Sequence, residues 1–210
     1  MKKNKCFFIH HIYMKTEEQK QHERKLVKIP MSNVLISKFF DGKTSFATIE
    51  DVGKMKNLDE VFQGQDHAIL FLLTAPEKNY GHFVCMFKNS SNLYYFDSYG
   101  EKPLDYLHVM EKKNIPLNNQ TFHLLSLVKN SKFKNSFYYN AFQYQAYNNN
   151  PATCGRYCAM ICILNRMYIN DNEPFNLITF NKLMVNWKNK LPIKKRSFDR
   201  VTTFFINQHI

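Results

Sequence analysis

The chain has 210 residues, 44% of them hydrophobic and 15% aromatic, with only 6 glycines and 7 prolines; this excludes a collagenous or disordered protein and allows a sizeable core in one domain. Five cysteines, no leader-like cleavage site after "CFFIHHIYM" and no apolar run near the roughly 18 residues of a membrane span predict free thiols in a reducing intracellular setting, with no membrane contact. The net charge of +12 and pI of about 9.4 fit either a lysine-rich solvated surface or contact with nucleic acid, and the densest basic run, "KNKLPIKKR" at 188–196, is short.

Residues 1–30 are polar and basic, with "KTEEQKQHERK" suited to a solvated helix, and read as an arm closed by Pro30. Residues 31–210 read as a single domain. "MSNVLISKFF" (31–40) is helix-like, with Ser32 or Asn33 as cap, and "NLDEVFQ" (57–63) predicts a second short helix. "HAILFLL" (67–73) is a continuous apolar run of strand length, as expected of a strand covered on both faces. "HFVCMFK" (82–88) and "LYYFD" (93–97) flank the turn formers "NSSN" and predict a hairpin. "TFHLLSLV" (121–128) and "FYYNAFQYQ" (137–145) read as two more strands. Cys154–Ile169 reads as one buried helix, 174–191 as another, and 197–210 as helix or strand. Strands grouped in the middle with helices at both ends make the fold class α+β.

A four-residue loop at 89–92 sets Lys88 opposite Leu93 and Val84 opposite Asp97. His82 is then diagonal to Asp97 on one face, with Cβ atoms about 7–8 Å apart, within side-chain reach. Downstream, "NNNPATCGRYCAMICIL" (148–164) passes from turn formers to a buried helix, with Cys154 at the junction. A cysteine there has four roles open to it: core packing, metal ligation, a disulfide, or nucleophilic attack. Cys154, Cys158 and Cys162 form one stripe of a straight helix, which does not wrap a tetrahedral ion, so no metal is expected. Cys158, Cys162 and Cys85 read as core, and Cys6 stays open. A nucleophilic Cys154 needs an imidazole to take its proton, a carboxylate to orient that ring, and donors for the oxyanion. A helix N-terminus favours the thiolate, and Gly155 would let backbone approach a substrate carbonyl. Gln143 and Gln145 lie just upstream. His67 beside Asp66 is a rival pair, and His123 reads as a hydrogen-bonded core or surface group.

"GHFVCMF" (81–87), "YYFDSYG" (94–100), an upstream glutamine and "TCGRYCA" (153–159) follow in the order His, Asp, Gln, Cys. This order resembles the adenovirus-protease-like (adenain/Ulp-type) cysteine peptidases, over about residues 60–170. Within them it is most similar to the virion-maturation proteases of large DNA viruses, virophages and Polinton-type elements. The resemblance implies a papain-like fold with a central mixed sheet and the nucleophile at the N-terminus of a buried helix. It implies His82 as general base and acid, Asp97 as the residue orienting it, Cys154 as nucleophile and a glutamine as oxyanion donor. The family glutamine usually lies six or seven residues before the cysteine. Gln145 is nine before and Gln143 eleven before, and Gln145 is favoured. The family often has tryptophan after the histidine, where this chain has Phe83, expected to pack beside the ring. The implied activity is a cysteine endopeptidase, a monomer without cofactor, that cuts viral capsid or other structural precursors. It would act in the virion and the host-cell cytoplasm or viral factory, with DNA or a peptide as an implied activator. Two other readings use the same chain: a deconjugating protease for a ubiquitin-like modifier, and a basic nucleic-acid-binding protein with a vestigial protease site.

Overall fold

A computed structural model describes residues 31, 36, 44–73, 81–89, 91–103, 120–146, 152–171, 173–190, 197–207 and 209. The expected arm at 1–30 with Cys6, most of the helix at 31–40, Asn148–Pro151 and the 191–196 part of the basic run lie outside the described residues. Five strands form one sheet in the order β1-β2-β3-β4-β5: β1 (Ser45–Thr48), β2 (His67–Leu73), β3 (Gly81–Asn89), β4 (Asn92–Phe96) and β5 (Phe137–Tyr139). β2–β3 and β3–β4 are antiparallel, whereas β1–β2 and β4–β5 are parallel. The sheet is therefore mixed, and the class is α+β as read from the sequence.

Among the described residues, six helices flank it: α1 (Ile49–Val52), α2 (Leu58–Phe62), α3 (Gln120–Lys129), α4 (Cys154–Asn170), α5 (Leu177–Lys190) and α6 (Phe198–Asn207). Strand alternation sorts the core into two halves. Ile69, Phe83, Cys85, Phe87, Tyr94 and Phe96 pack with the apolar faces of α4, α5 and α6. Ala68, Leu70, Val84, Met86, Leu93 and Tyr95 pack with those of α1, α2 and α3. A strand with both parities buried reads as an unbroken apolar run, which is why "HAILFLL" and "HFVCMF" show no polar alternation.

Three local expectations change. The segment 121–128, expected as a strand, lies in helix α3. Leu124, Leu127 and Val128 recur at helical spacing, and that stripe is what buries. The segment 137–145, expected as one strand, pairs only through Phe137–Tyr139. Asn140 ends it, because its side chain binds Asp97, donating Nδ2–H to the Asp97 carbonyl (2.7 Å) and accepting the Asp97 N–H at Oδ1 (2.8 Å). The pair β1–α1 was not anticipated, though "TIED" carries its signal. Thr48 Oγ1 accepts the Asp51 N–H and Asp51 Oδ2 accepts the Thr48 N–H, both at 3.1 Å, closing a capping box. The expected helix near 57–63 forms as α2, with Asn57 accepting the Glu60 N–H at 3.0 Å.

Candidate active site

The β3–β4 hairpin has the expected register, with Lys88 opposite Leu93, and the ladder runs to Cys85 opposite Phe96. Asp97 follows immediately and is fully buried, as is His82 at the start of β3. His82 Nε2 lies 3.1 Å from Asp97 Oδ1. The carboxylate is fixed in turn: Oδ1 accepts the Tyr99 N–H at 2.6 Å, and Asn140 holds the Asp97 backbone at both ends. An ionised carboxylate only accepts, so Nε2 carries a proton and Nδ1 is the nitrogen left for a thiol.

Cys154 supplies that thiol. It is the first residue of α4, half-buried, and its sulfur is hydrogen bonded to the His82 ring and to the backbone N–H groups of Phe83 and Gly155. The two partners come from opposite faces of the sheet and meet where β3 begins. Thr153 is the N-cap but makes no side-chain cap to the helix; its hydroxyl donates to Asp199 instead, at 2.5 Å. The first turn of α4 thus keeps its positive end directed at the sulfur. Burial alone would raise the Cys154 pKa, but the His82 hydrogen bond and charge, with the two backbone donors, bring it below the ordinary thiol value. Burial likewise opposes charge on His82, and the charge and hydrogen bond of Asp97, helped by Cys154, overcome it and raise His82 to about 10. The pair is thereby biased toward thiolate and imidazolium.

Gly155 has a different reason from the one expected. A Cβ there would sit 3.1 Å from Ile36 Cδ1 and 3.2 Å from Met31 Cβ, so it admits these core side chains against α4 rather than a substrate.

Of the two glutamines, Gln145 is buried and Gln143 exposed. Gln145 Oε1 accepts the Ser98 hydroxyl at 2.7 Å, and its Nε2 donates to the Tyr99 hydroxyl at 3.0 Å. Its own N–H donates to the Ser98 carbonyl at 2.8 Å. Gln143 instead donates from Nε2 to the Gln145 carbonyl at 2.9 Å. The Gln145 amide is therefore bound to the residues immediately after Asp97, its oxygen to Ser98 and its nitrogen to Tyr99.

Tyr99 connects the parts and was not singled out from the sequence. Its ring stacks on His82, with centroids 4.8 Å apart and 25° between planes. Phe83, expected beside that ring, packs on Phe71 and Phe46 on the other face of the sheet, because successive side chains alternate. The turn after Asp97, closed by the Gly100 N–H on the Asp97 carbonyl at 3.0 Å, brings the Tyr99 ring back to His82, and no strand periodicity signals it. Asp199 of α6, also missed, is buried against Thr153, Tyr157 and Ala146.

The rival His67 is elsewhere. It is buried with Nε2 3.1 Å from Asn165 Nδ2, and burial, with the Arg166 and Lys88 charges, lowers its pKa to about 3. Asp66 approaches Lys88 at 4.0 Å. His123 meets the Met55 carbonyl at 2.7 Å. Cys85, Cys158 and Cys162 are buried together behind Cys154, and burial pushes each thiol up, Cys158 to about 11. Among the described residues no group of three or more His, Cys, Asp and Glu side chains is placed to hold a metal ion, and no helix is long and apolar enough to cross a membrane.

No family model matches the chain. It is similar to the SUMO protease Ulp1 with the catalytic cysteine oxidised to a sulfinic acid, at 11% identity, covering 94% of this chain and 96% of that one with a TM-score of 0.34. It is also similar to the C-terminal Ulp1 protease domain in complex with Smt3, the yeast ortholog of SUMO, at 13% identity, covering 88% and 75% with a TM-score of 0.32. In sequence it is 30% identical over 165 residues to the uncharacterized protein V9 of Sputnik virophage, covering 75% of this chain and 93% of the relative. At that identity, over nearly the whole of the relative, the chain belongs to the family of the Sputnik virophage protein V9.

Proposed function

We propose that the protein is a cysteine endopeptidase with Cys154 as nucleophile, His82 as general base and acid, Asp97 as the orienting carboxylate and Gln145 as an oxyanion donor. One observation carries the reading. A half-buried thiol at a helix N-terminus is hydrogen bonded to an imidazole whose far nitrogen is 3.1 Å from a buried carboxylate. These are the three groups that thiolate chemistry requires, and nothing in core packing requires them together.

The Cys154 proton passes to His82 Nδ1, and the thiolate adds to the scissile carbonyl, forming a C–S bond. The oxyanion takes hydrogen bonds from backbone N–H at the start of α4 and from Gln145 Nε2. The carbonyl re-forms as the C–N bond breaks, and the imidazolium gives its proton to the leaving amine. Water, deprotonated by His82, then hydrolyses the thioester and frees both the acid product and Cys154. Asp97 keeps Nδ1 toward the sulfur throughout and stabilises the imidazolium.

The substrates in this reading are capsid or other virion structural precursors, cut during assembly at small-residue sites. The virophage relative supports a viral setting for the chain. The site of action would be the assembling virion and the viral factory or host cytoplasm around it. Co-expression with candidate capsid precursors tests this. Fragments of defined size are expected with the wild type and none with Cys154→Ala. Unchanged cutting by that variant would sink the mechanism; cutting only of a ubiquitin-like modifier fusion would move the protein to the deconjugating class. DNA remains a proposed activator by the family resemblance alone, and the +12 charge is compatible with it. A cleavage rate unaffected by DNA across a salt series would remove it.

A further inference from the structure

Asp199 belongs to the last helix, far from the site in sequence, and is buried. Its carboxylate accepts hydrogen bonds from two segments that build the site. Oδ2 takes the Ala146 N–H at 3.4 Å, and Ala146 directly follows Gln145. Oδ1 takes the Thr153 hydroxyl at 2.5 Å, and Thr153 directly precedes Cys154. Oδ1 also receives the Tyr157 hydroxyl at 3.4 Å, one turn into α4. Burial raises the Asp199 pKa, and hydrogen bonds from Thr153, Ala146, Tyr157 and its own backbone N–H counter it. Removal of this carboxylate would leave the Ala146 amide and the Thr153 and Tyr157 hydroxyls competing for partners.

We infer that Asp199 is a positioning residue that sets the distance between the oxyanion donor and the nucleophile. It ties the residue after Gln145 to the residue before Cys154, so one carboxylate holds both ends of the chain that separates them. Gln145 lies nine residues before Cys154 and is bound to Ser98 and Tyr99, which are not part of α4. The Asp199 bonds add the direct tie from its segment to the start of α4. His82 and Asp97 are set by the β3–β4 hairpin and do not depend on this tie. The inference rests on the reading of Cys154 and Gln145 as nucleophile and oxyanion donor.

The two dependences separate by choice of probe. Iodoacetamide alkylates a thiolate by displacement and needs no oxyanion donor. p-Nitrophenyl acetate acylates it through a tetrahedral oxyanion and releases p-nitrophenolate. Asp199→Asn and Thr153→Ala are expected to slow acylation of Cys154 by about tenfold or more. They should leave the alkylation rate and its pH profile within about twofold, since the ion pair is untouched. Thr153→Ser, which keeps the hydroxyl, should acylate as the wild type does. Equal losses with both probes, or no loss with p-nitrophenyl acetate, overturn the inference. Thr153→Ala decides the matter alone if Asp199→Asn does not fold, and near-UV circular dichroism reports folding of each variant. A wild-type Cys154 inert to both probes at neutral pH instead overturns the protease reading itself.

Discussion

His82 and Asp97 meet at 3.1 Å because one residue of β3 and the residue just past β4 are diagonal neighbours in an unbulged hairpin. The histidine's charge therefore depends on strand register, and the thiol's on the histidine. In the wild type, alkylation of Cys154 by iodoacetamide should begin below the ordinary thiol pKa of about 8.5 and hold a plateau across neutrality. The sign follows from the shifts: Cys154 is lowered, so thiolate appears at lower pH, and His82 is raised to about 10, so its proton is kept above neutrality. His82→Gln should move the alkylation midpoint up toward the ordinary value. An unmoved midpoint would mean the two groups do not share a proton.

Gln145 and Gln143 make opposite predictions. Gln145→Ala removes a buried amide held by Ser98 and Tyr99 and should slow acylation by p-nitrophenyl acetate about 10²–10³-fold. Gln143→Ala removes an exposed side chain whose one described bond is to the Gln145 carbonyl, and should change the rate by less than about fivefold. The reverse order would reassign the donor.

His82, Asp97 and Cys154 were legible in the sequence because each sits in a context that a single chain segment dictates. Hairpin register follows from turn formers at 89–92, and the loop-to-helix junction at Cys154 from asparagines giving way to apolar residues. In "TFHLLSLV" the apolar content fits a strand, whereas the spacing of Leu124, Leu127 and Val128 suits the helix that forms. Tyr99, Asn140 and Asp199 were not legible as site residues. Their roles are hydrogen bonds and ring contacts made across 17, 43 and 46 positions of chain, to His82, Asp97 and Thr153. No local pattern encodes such distances.

Tyr99 acts through two separable features. Its hydroxyl accepts from Gln145 Nε2, and its ring covers His82. Tyr99→Phe keeps the stack and should lower acylation several-fold without moving the alkylation midpoint. Tyr99→Ala exposes the imidazole and relieves the burial that opposes its charge, so it should move the alkylation midpoint that Tyr99→Phe leaves in place. Identical behaviour of the two variants would show that the ring plays no part.

Gly81 explains why the residue before His82 carries no side chain. A Cβ there would fall on the Phe71 ring and lie 2.5 Å from the Leu72 carbonyl oxygen. Neither the β2 backbone nor a ring packed on Phe83 can move freely. Gly81→Ala should cost about 1–3 kcal/mol in urea unfolding and displace His82, slowing alkylation of Cys154 at neutral pH. A variant as stable and as reactive as the wild type would show that this strand end yields easily.

His67 supplies a stability prediction independent of catalysis. Asn165 Nδ2 donates to both the Lys88 carbonyl and His67 Nε2, so Nε2 must accept and the ring must be neutral. A second proton would set two donors face to face in a buried site, and burial, with the Arg166 and Lys88 charges, lowers the pKa from 6.5 to about 3. The unfolded chain thus binds a proton that the folded one refuses between those values. Stability from this group is complete above 6.5 and is lost as the pH falls toward 3. The slope approaches about 1.4 kcal/mol per pH unit for one proton. Urea unfolding between about pH 7 and pH 5, where most carboxylates are still ionised, isolates it. His67→Gln keeps an acceptor for Asn165 but cannot titrate, so its stability should fall less steeply over that window. Parallel slopes for the two proteins would mean that His67 is protonated in the fold, and that Asn165 presents its oxygen rather than its nitrogen.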